Sequence, residues 1–272
     1  MSKTPLNTVI GGAFWTPNSE ILGSTTEPTE PIPDPIHALF DAGIRGIWFD
    51  PNDMSTMFQD AAATIPVTAI GQTVGCIKCK RGDKAWVQAT ASKQPLLQHD
   101  PETNHNYLLF DGIDDEYNYV GYSNSPSYIE NVTYLSAVKV IDYTSNRYSY
   151  INSHQPQFQY LYQNLRYLWG YGTSSLMPSD IPKSSNIVLA YVDNAFFTYP
   201  DREAYINHNG YSFDVTQTTT KNGFGLGCST NSKFANMAFY GAYVGEVFIP
   251  KSEILTYCDY FAKKIGVTTH VE

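Results

Sequence analysis

Residues 223–267 constrain the fold most, because a glycine-rich strand, a second strand and a closing helix can be read there in immediate succession. GFGLG (223–227) and MAFYGAYVGEVFI (237–249) alternate or run apolar with β-branched and aromatic residues, which is the pattern of strands with buried faces. Asn231, Ser232 and Lys233 between them read as a turn. Pro250 stops the second strand, and Ser252 is placed to cap a helix in which Ile254, Leu255, Cys258, Phe261, Ala262 and Ile265 recur at helical spacing. Lys263 and Lys264 suit the negative end of the helix dipole, and Gly266 suits the position just past it.

The rest of the chain supplies further strands. Residues 35–43 predict a short helix with Ile36, Leu39 and Phe40 on one side and Gly43 as its stop. GIWFD (46–50) reads as a strand. Asp53 then caps a single helical turn that points Met54, Met57 and Phe58 inward, flanked by Asp50 and Asp60, which serve as readily as caps as ligands. YLLFDGIDD (107–115) is a buried strand turning at Asp111-Gly112. Asp114, Asp115 and Glu116 form the densest acidic group. It is open to two readings, a cation site or a turn whose carboxylates bond their own backbone; the spacing of a known calcium loop is missing, and no metal or cofactor is assigned. Residues 134–141 and 187–192 read as central strands, and 207–210 as a tight turn.

The chain of 272 residues fits one large β domain plus an arm, and its 42% hydrophobic content allows a sizeable core. Charged residues, at 16%, fall below the roughly 25% usual for globular proteins, so Ser, Thr, Asn, Gln and Tyr must dress the surface. The formal net charge of −9 argues against a nucleic-acid partner. Lys78, Lys80, Arg81 and Lys84, with Asp83 among them, are the one local basic cluster, read as a solvated β-turn in preference to a polyanion patch. Cys76 and Cys79 have zinc-knuckle spacing but lack a matching second pair; with Cys228 and Cys258 they are read as structural thiols. No segment approaches the length needed to cross a bilayer, and the N-terminus lacks the apolar run of a secretory signal.

Three stretches carry a family resemblance. FYGAYVGEVF leading into YFAKKIGV, GIWFDPNDMSTMFQDAAATIPVTAIGQTVG (46–75) and YLLFDGIDDEYNY (107–119) resemble the closing segment, opening and signature strand of concanavalin A-like (laminin G-like) jelly-roll modules of bacteriophage virion proteins. The turn at residues 79–84 departs from that family's pattern, so no ligand is carried over to it. The resemblance implies an all-β, antiparallel jelly-roll β-sandwich with a short C-terminal helix and an extended N-terminal arm, located in the virion and made in the host cytoplasm. In that setting residues 1–23 are expected to be a virion-anchoring arm, docking on other virion proteins through Val9, Ile10, Phe14 and Trp15. Residues 24–40 are a Pro-rich linker and 41–272 the jelly-roll domain. The other reading of the arm is a segment folded back to cap its own sandwich.

Residues 143–171 concentrate aromatic rings, and strict alternation puts Phe158, Tyr160 and Tyr162 on one face of a strand. Such rings stack on sugar faces as well as they fill cores. Tyr148, Tyr160, Tyr162, Trp169 and Tyr171 are the candidate glycan contacts. The E-x-D-x-E triplet of hydrolases on this sandwich is missing, as are a G-x-S-x-G elbow and a phosphate-binding glycine loop, so the chain is expected not to be an enzyme. The functional expectation is a tail-fibre or receptor-binding protein engaging host surface polysaccharide, as a homo-oligomer without membrane insertion. The alternative is a head-decoration or other structural subunit using the same sandwich for protein contacts.

Overall fold

The computed structural model describes residues 34–120, 131–142, 147–148, 151–153, 159–162, 166–168, 186–194, 203–206, 209–212, 224–229 and 233–267. Within these, an eight-stranded antiparallel sheet organises the chain. Its order is Asn209–Ser212, Glu203–Ile206, Asn186–Asn194, Asn131–Asp142, Asn236–Gly245, His105–Asp111 and Leu96–Asp100. Asn236–Gly245 is the hub: Asn131–Asp142 runs along one side, while His105–Asp111 and then Gly46–Phe49 occupy the other. A strand enclosed on both edges and both faces must be apolar throughout, and every residue from Met237 to Gly245 is buried.

One irregularity keeps this strand in phase with its neighbours. Val138 opposes Phe239 and Ala137 opposes Gly241, so Tyr240 is an extra residue, a β-bulge. Gly241 takes φ +144, and a Cβ there would lie 3.0 Å from the Phe49 carbonyl oxygen, so no other residue fits without displacement. Phe239 before the bulge and Ala242 after it thereby keep to one face, since Ala242 pairs with Phe49 and both Phe49 and Phe239 meet Trp86.

That face is covered by a small antiparallel sheet of Met57–Phe58, Cys76–Lys78 and Ala85–Val87. Trp86 from its last strand stacks on Phe49 at 4.0 Å and on Tyr117 at 6.0 Å, and meets Phe239 edge-on at 5.7 Å. The opposite face is covered by two helices, Pro35–Asp41 and Lys251–Lys264. Phe40 meets Tyr243 edge-on at 5.8 Å, and the Phe261 ring lies 3.6 Å from where a Cβ on Gly241 would stand. The architecture is mostly β, with antiparallel sheets and a C-terminal helix; the described strands do not by themselves trace a jelly roll.

Two expectations are corrected here. Helix Pro35–Asp41 buries Ile36 and packs Leu39 and Phe40 on the core, so residues 35–40 belong to the packed body and not to the linker. The closing helix starts directly after Pro250, whose fixed φ of −67 suits a helix start, and Ser252 lies exposed in the first turn instead of capping it. Lys264 is buried, its Nζ 2.9 Å from Asp50 Oδ1, and so ties the helix end to the end of strand Gly46–Phe49. Other local readings hold: Asp53 accepts the Ser55 N–H at the start of a 3-10 turn, and Asp60 accepts the N–H groups of Thr64 and Ile65. Among the described residues no helix is long and apolar enough to cross a membrane.

Candidate functional site

Three of the five candidate glycan residues fall on described backbone. Tyr148, Tyr160 and Tyr162 lie in a small antiparallel sheet of order Arg166–Leu168, Gln159–Tyr162, Arg147–Tyr148. Its register pairs Tyr148 with Leu161, and Tyr162 with both Arg147 and Arg166. Tyr148 therefore shares a row with Leu161, one step from the row of Tyr162, and the three tyrosines do not form one aligned set. Trp169, Tyr171 and the anchor residues Val9, Ile10, Phe14 and Trp15 lie outside the described residues.

The acidic turn is held by its own carboxylates. Asp111 Oδ1 accepts the N–H of Ile113 at 2.7 Å and of Asp114 at 3.3 Å, and Asp115 Oδ2 accepts the Asp111 N–H at 2.9 Å. One oxygen from each of Asp111, Asp114 and Asp115 lies within 4.8 Å of the others, a spacing able to hold a cation among oxygen ligands. Burial, with the neighbouring charges of Asp111 and Asp114, pushes the Asp115 carboxyl from 3.8 up to about 6, against the pull of the Asp111 N–H. A carboxyl raised on folding adds stability that is fully present below about 3.8 and lost as pH rises through about 6. Asp115→Asn keeps an acceptor for the Asp111 N–H and removes the charge. It should match the wild type in urea unfolding at pH 4 and exceed it at pH 7.5 by roughly 1–2 kcal/mol. That is less than the full shift implies, because the turn is open to water, with Ile113 73% exposed. An equal offset at both pH values would remove the charge argument.

A second site is built where the chain enters the main sheet. Helix Pro35–Asp41 ends, Gly43 reverses the backbone at φ +81, and Ile44 and Arg45 lead into strand Gly46–Phe49. Opposite them lies the turn joining Cys76–Lys78 to Ala85–Val87, which a buried thiol pins in place. Cys79 Sγ donates to the Arg81 carbonyl at 2.7 Å and accepts the Trp48 N–H at 3.1 Å, while the Lys80 N–H donates to the Trp48 carbonyl at 2.8 Å. Cys79 thus has the structural role expected of it, with burial, against the pull of the Trp48 and Arg81 backbone bonds, raising its thiol pKa and keeping it unreactive.

Between helix, strand and turn opens a cleft of about 390 Å³, lined by Phe40 and Ile44, by Arg45, Arg81, Asp83 and Lys84, and by the backbone at Gly46 and Gly82. The Arg81 guanidinium donates to His37 Nδ1 through Nε at 3.2 Å and lies 3.1 Å from Asp41 Oδ1 through Nη2. Arg45 pairs with Glu246, and Lys84 stands 3.8 Å from Asp83. The basic cluster of the sequence is therefore divided: Lys78 lies over the Phe58 ring and Lys80 over that of Trp48, while Arg81 and Lys84 turn to the cleft. Sequence reasoning missed Arg45, Phe40 and Ile44 as their partners, because no local spacing links them to residues 81–84.

No protein-family model matches the chain, and no curated protein matches it. Among solved structures the chain is similar to Trypanosoma rangeli sialidase, at 10% identity and a TM-score of 0.52, over 82% of this chain and 33% of that one. It is likewise similar to the same sialidase in complex with 2,3-difluorosialic acid, a covalent intermediate, at 12% identity, a TM-score of 0.52 and the same coverage. The binding domain of botulinum neurotoxin DC, in complex with rat synaptotagmin II, matches at 12% identity and a TM-score of 0.45, over 66% of this chain and 50% of that one. The chain spans about a third of the length of the sialidase chains it matches. These likenesses name neither a phage nor a concanavalin A-like family. They correct the expectation that the chain is not an enzyme: chains of this fold include sialidases, so a missing local motif no longer sets the fold apart from catalysis. What the chain shares with the sialidase is fold alone; its own is mostly β, with antiparallel sheets and a closing helix.

Proposed function

We propose that this chain is a glycan-engaging module of a bacteriophage virion, placed in the attachment apparatus as a tail-fibre or receptor-binding protein. The observation that carries the glycan reading is the cleft at Arg45 and Arg81. Its volume of about 390 Å³ falls in the range of small-ligand sites, and it joins apolar side chains to a few fixed polar groups. A sialidase of similar fold, in its complex with 2,3-difluorosialic acid, handles a sugar acid, which adds to this reading. The virion setting rests on the resemblance of residues 46–75, 107–119, 239–248 and 260–267 to phage modules. In that setting residues 1–23 anchor the chain to other virion proteins, the body from Pro35 onward is presented to host polysaccharide, and several copies assemble together.

Two measurements on the full chain test this. On an array of bacterial surface glycans, saturable binding to a subset is the expected result, and binding to none removes the glycan reading. Immunogold labelling of particles purified from the source should place the chain at the tail end. Gold over the head would replace attachment with decoration, and unlabelled particles would remove the virion setting.

A further inference from the structure

We infer that the cleft beside Arg45 and Arg81 takes a saccharide bearing a carboxylate. This rests on the glycan reading above and adds the ligand class and the residues that recognise it. On a chain of net charge −9, three cations line the cleft, each beside a carboxylate: Arg45 by Glu246, Arg81 by Asp41 and Lys84 by Asp83. The cleft is thus close to charge balance on an acidic chain, and what it offers an anionic ligand is directed, charged N–H donors.

The two arginines are held in place yet retain free donors. Contacts of Arg45 run through Nη2 to Glu246, and those of Arg81 through Nε and Nη2 to His37 and Asp41. Nη1 of each guanidinium is therefore uncommitted among the described residues. The two side chains are 67% and 43% exposed, so a ligand reaches them without displacing the core. The free Nη1 of each arginine is a charge-assisted donor, and a carboxylate accepts such bonds on either oxygen.

The remaining lining distinguishes a sugar acid from a bare anion. Asp83 is 88% exposed and accepts hydroxyl donors, which a phosphodiester lacks. Phe40 and Ile44 give apolar surface for the carbon face of a ring. At the turn, Gly82 has φ +103 and nothing within 4 Å of where a Cβ would stand, so the backbone there is open to close approach.

The test uses the full chain and an array on which each acidic glycan is printed beside its carboxyl-reduced counterpart, followed by calorimetric titration of the best-bound pair. Carboxyl reduction should weaken binding about tenfold or more, the effect of losing a charge-assisted bond pair. Arg81→Gln should do the same, and Lys84→Gln should weaken binding about threefold through charge alone, with thermal midpoints near that of the wild type. If Arg81→Gln lowers the midpoint, Lys84→Gln and Arg45→Gln carry the test. Equal binding of reduced and acidic forms, or acidic binding indifferent to all the folded cleft variants, overturns the inference while leaving glycan binding standing. Binding to no glycan overturns the functional reading itself.

Discussion

Lys264→Ala is expected to destabilise the fold by about 3 kcal/mol at pH 7, a large fraction of the stability of a typical domain. The reason is the group left behind. Asp50 is 3% exposed, and its Oδ1 sits 2.9 Å from Lys264 Nζ. The Asn52 N–H also donates to Asp50 Oδ1, and Lys80 stands 3.6 Å from Oδ2. Burial alone would raise this carboxyl's pKa; Lys264, then Lys80 and the Asn52 N–H, outweigh burial and hold it below 3.8. A depressed carboxylate adds stability that is present above its unfolded value and lost as pH falls through the folded one. Without Lys264, burial dominates and the Asp50 carboxyl is relieved by taking up a proton. The gap between wild type and variant in urea unfolding should therefore be widest near pH 7 and narrow towards pH 4. Lys264→Met with Asp50→Asn, which removes both charges and keeps volume, should recover most of the loss. A gap of the same size at both pH values would return Lys264 to the role of a packing stem.

Lys264 also shows where a sequence is legible and where it is not. Helical spacing identified Ile254, Leu255, Cys258, Phe261, Ala262 and Ile265 as the inward stripe; Leu255 is partly buried against the core and the others are buried. Lys264 lies three residues past Phe261 on that stripe, so the local signal for its burial was present. It was read only as suiting the negative end of the helix dipole, because its partner, Asp50, is 214 residues away. The same limit hid the cleft. Periodicity placed helix Pro35–Asp41 and strand Gly46–Phe49, but nothing local brings Arg45 opposite Arg81. Self-contained motifs read well for the opposite reason: Asp53 and Asp60 cap turns whose N–H groups lie within a few residues of them. The pairing of Tyr148 with Leu161 and the register shift between Gln159 and Tyr162 are matters of pairing between strands, which alternation does not encode. The expectation against catalysis rested on missing local motifs, and the likeness to a sialidase fold removes that ground.

Trp86→Ala should cost about 3–5 kcal/mol and lower the thermal midpoint by roughly 10 °C. Its side chain is fully buried and joins the two sheets, stacked at 4.0 Å on Phe49 from the main sheet and bracketed by Tyr117 and Phe239. Removing the indole leaves a cavity at the centre of that layer, which its ring neighbours cannot close without leaving their own contacts. Trp86→Phe, which retains part of the stack, should lose less than half as much. The consequence extends beyond stability, because Trp86 is paired with Ile77 in the hairpin whose turn carries Arg81 and Lys84 to the cleft. Loosening this layer should shift that turn relative to strand Gly46–Phe49, so affinity for the carboxylate-bearing glycan should fall in the Ala variant even well below its midpoint. A variant that loses the full stability yet binds as the wild type does would separate the cleft from the aromatic layer. It would leave the turn held by the Cys79 bonds to Trp48 and Arg81, the Lys80 N–H bond to the Trp48 carbonyl and the Arg81 contacts with His37 and Asp41.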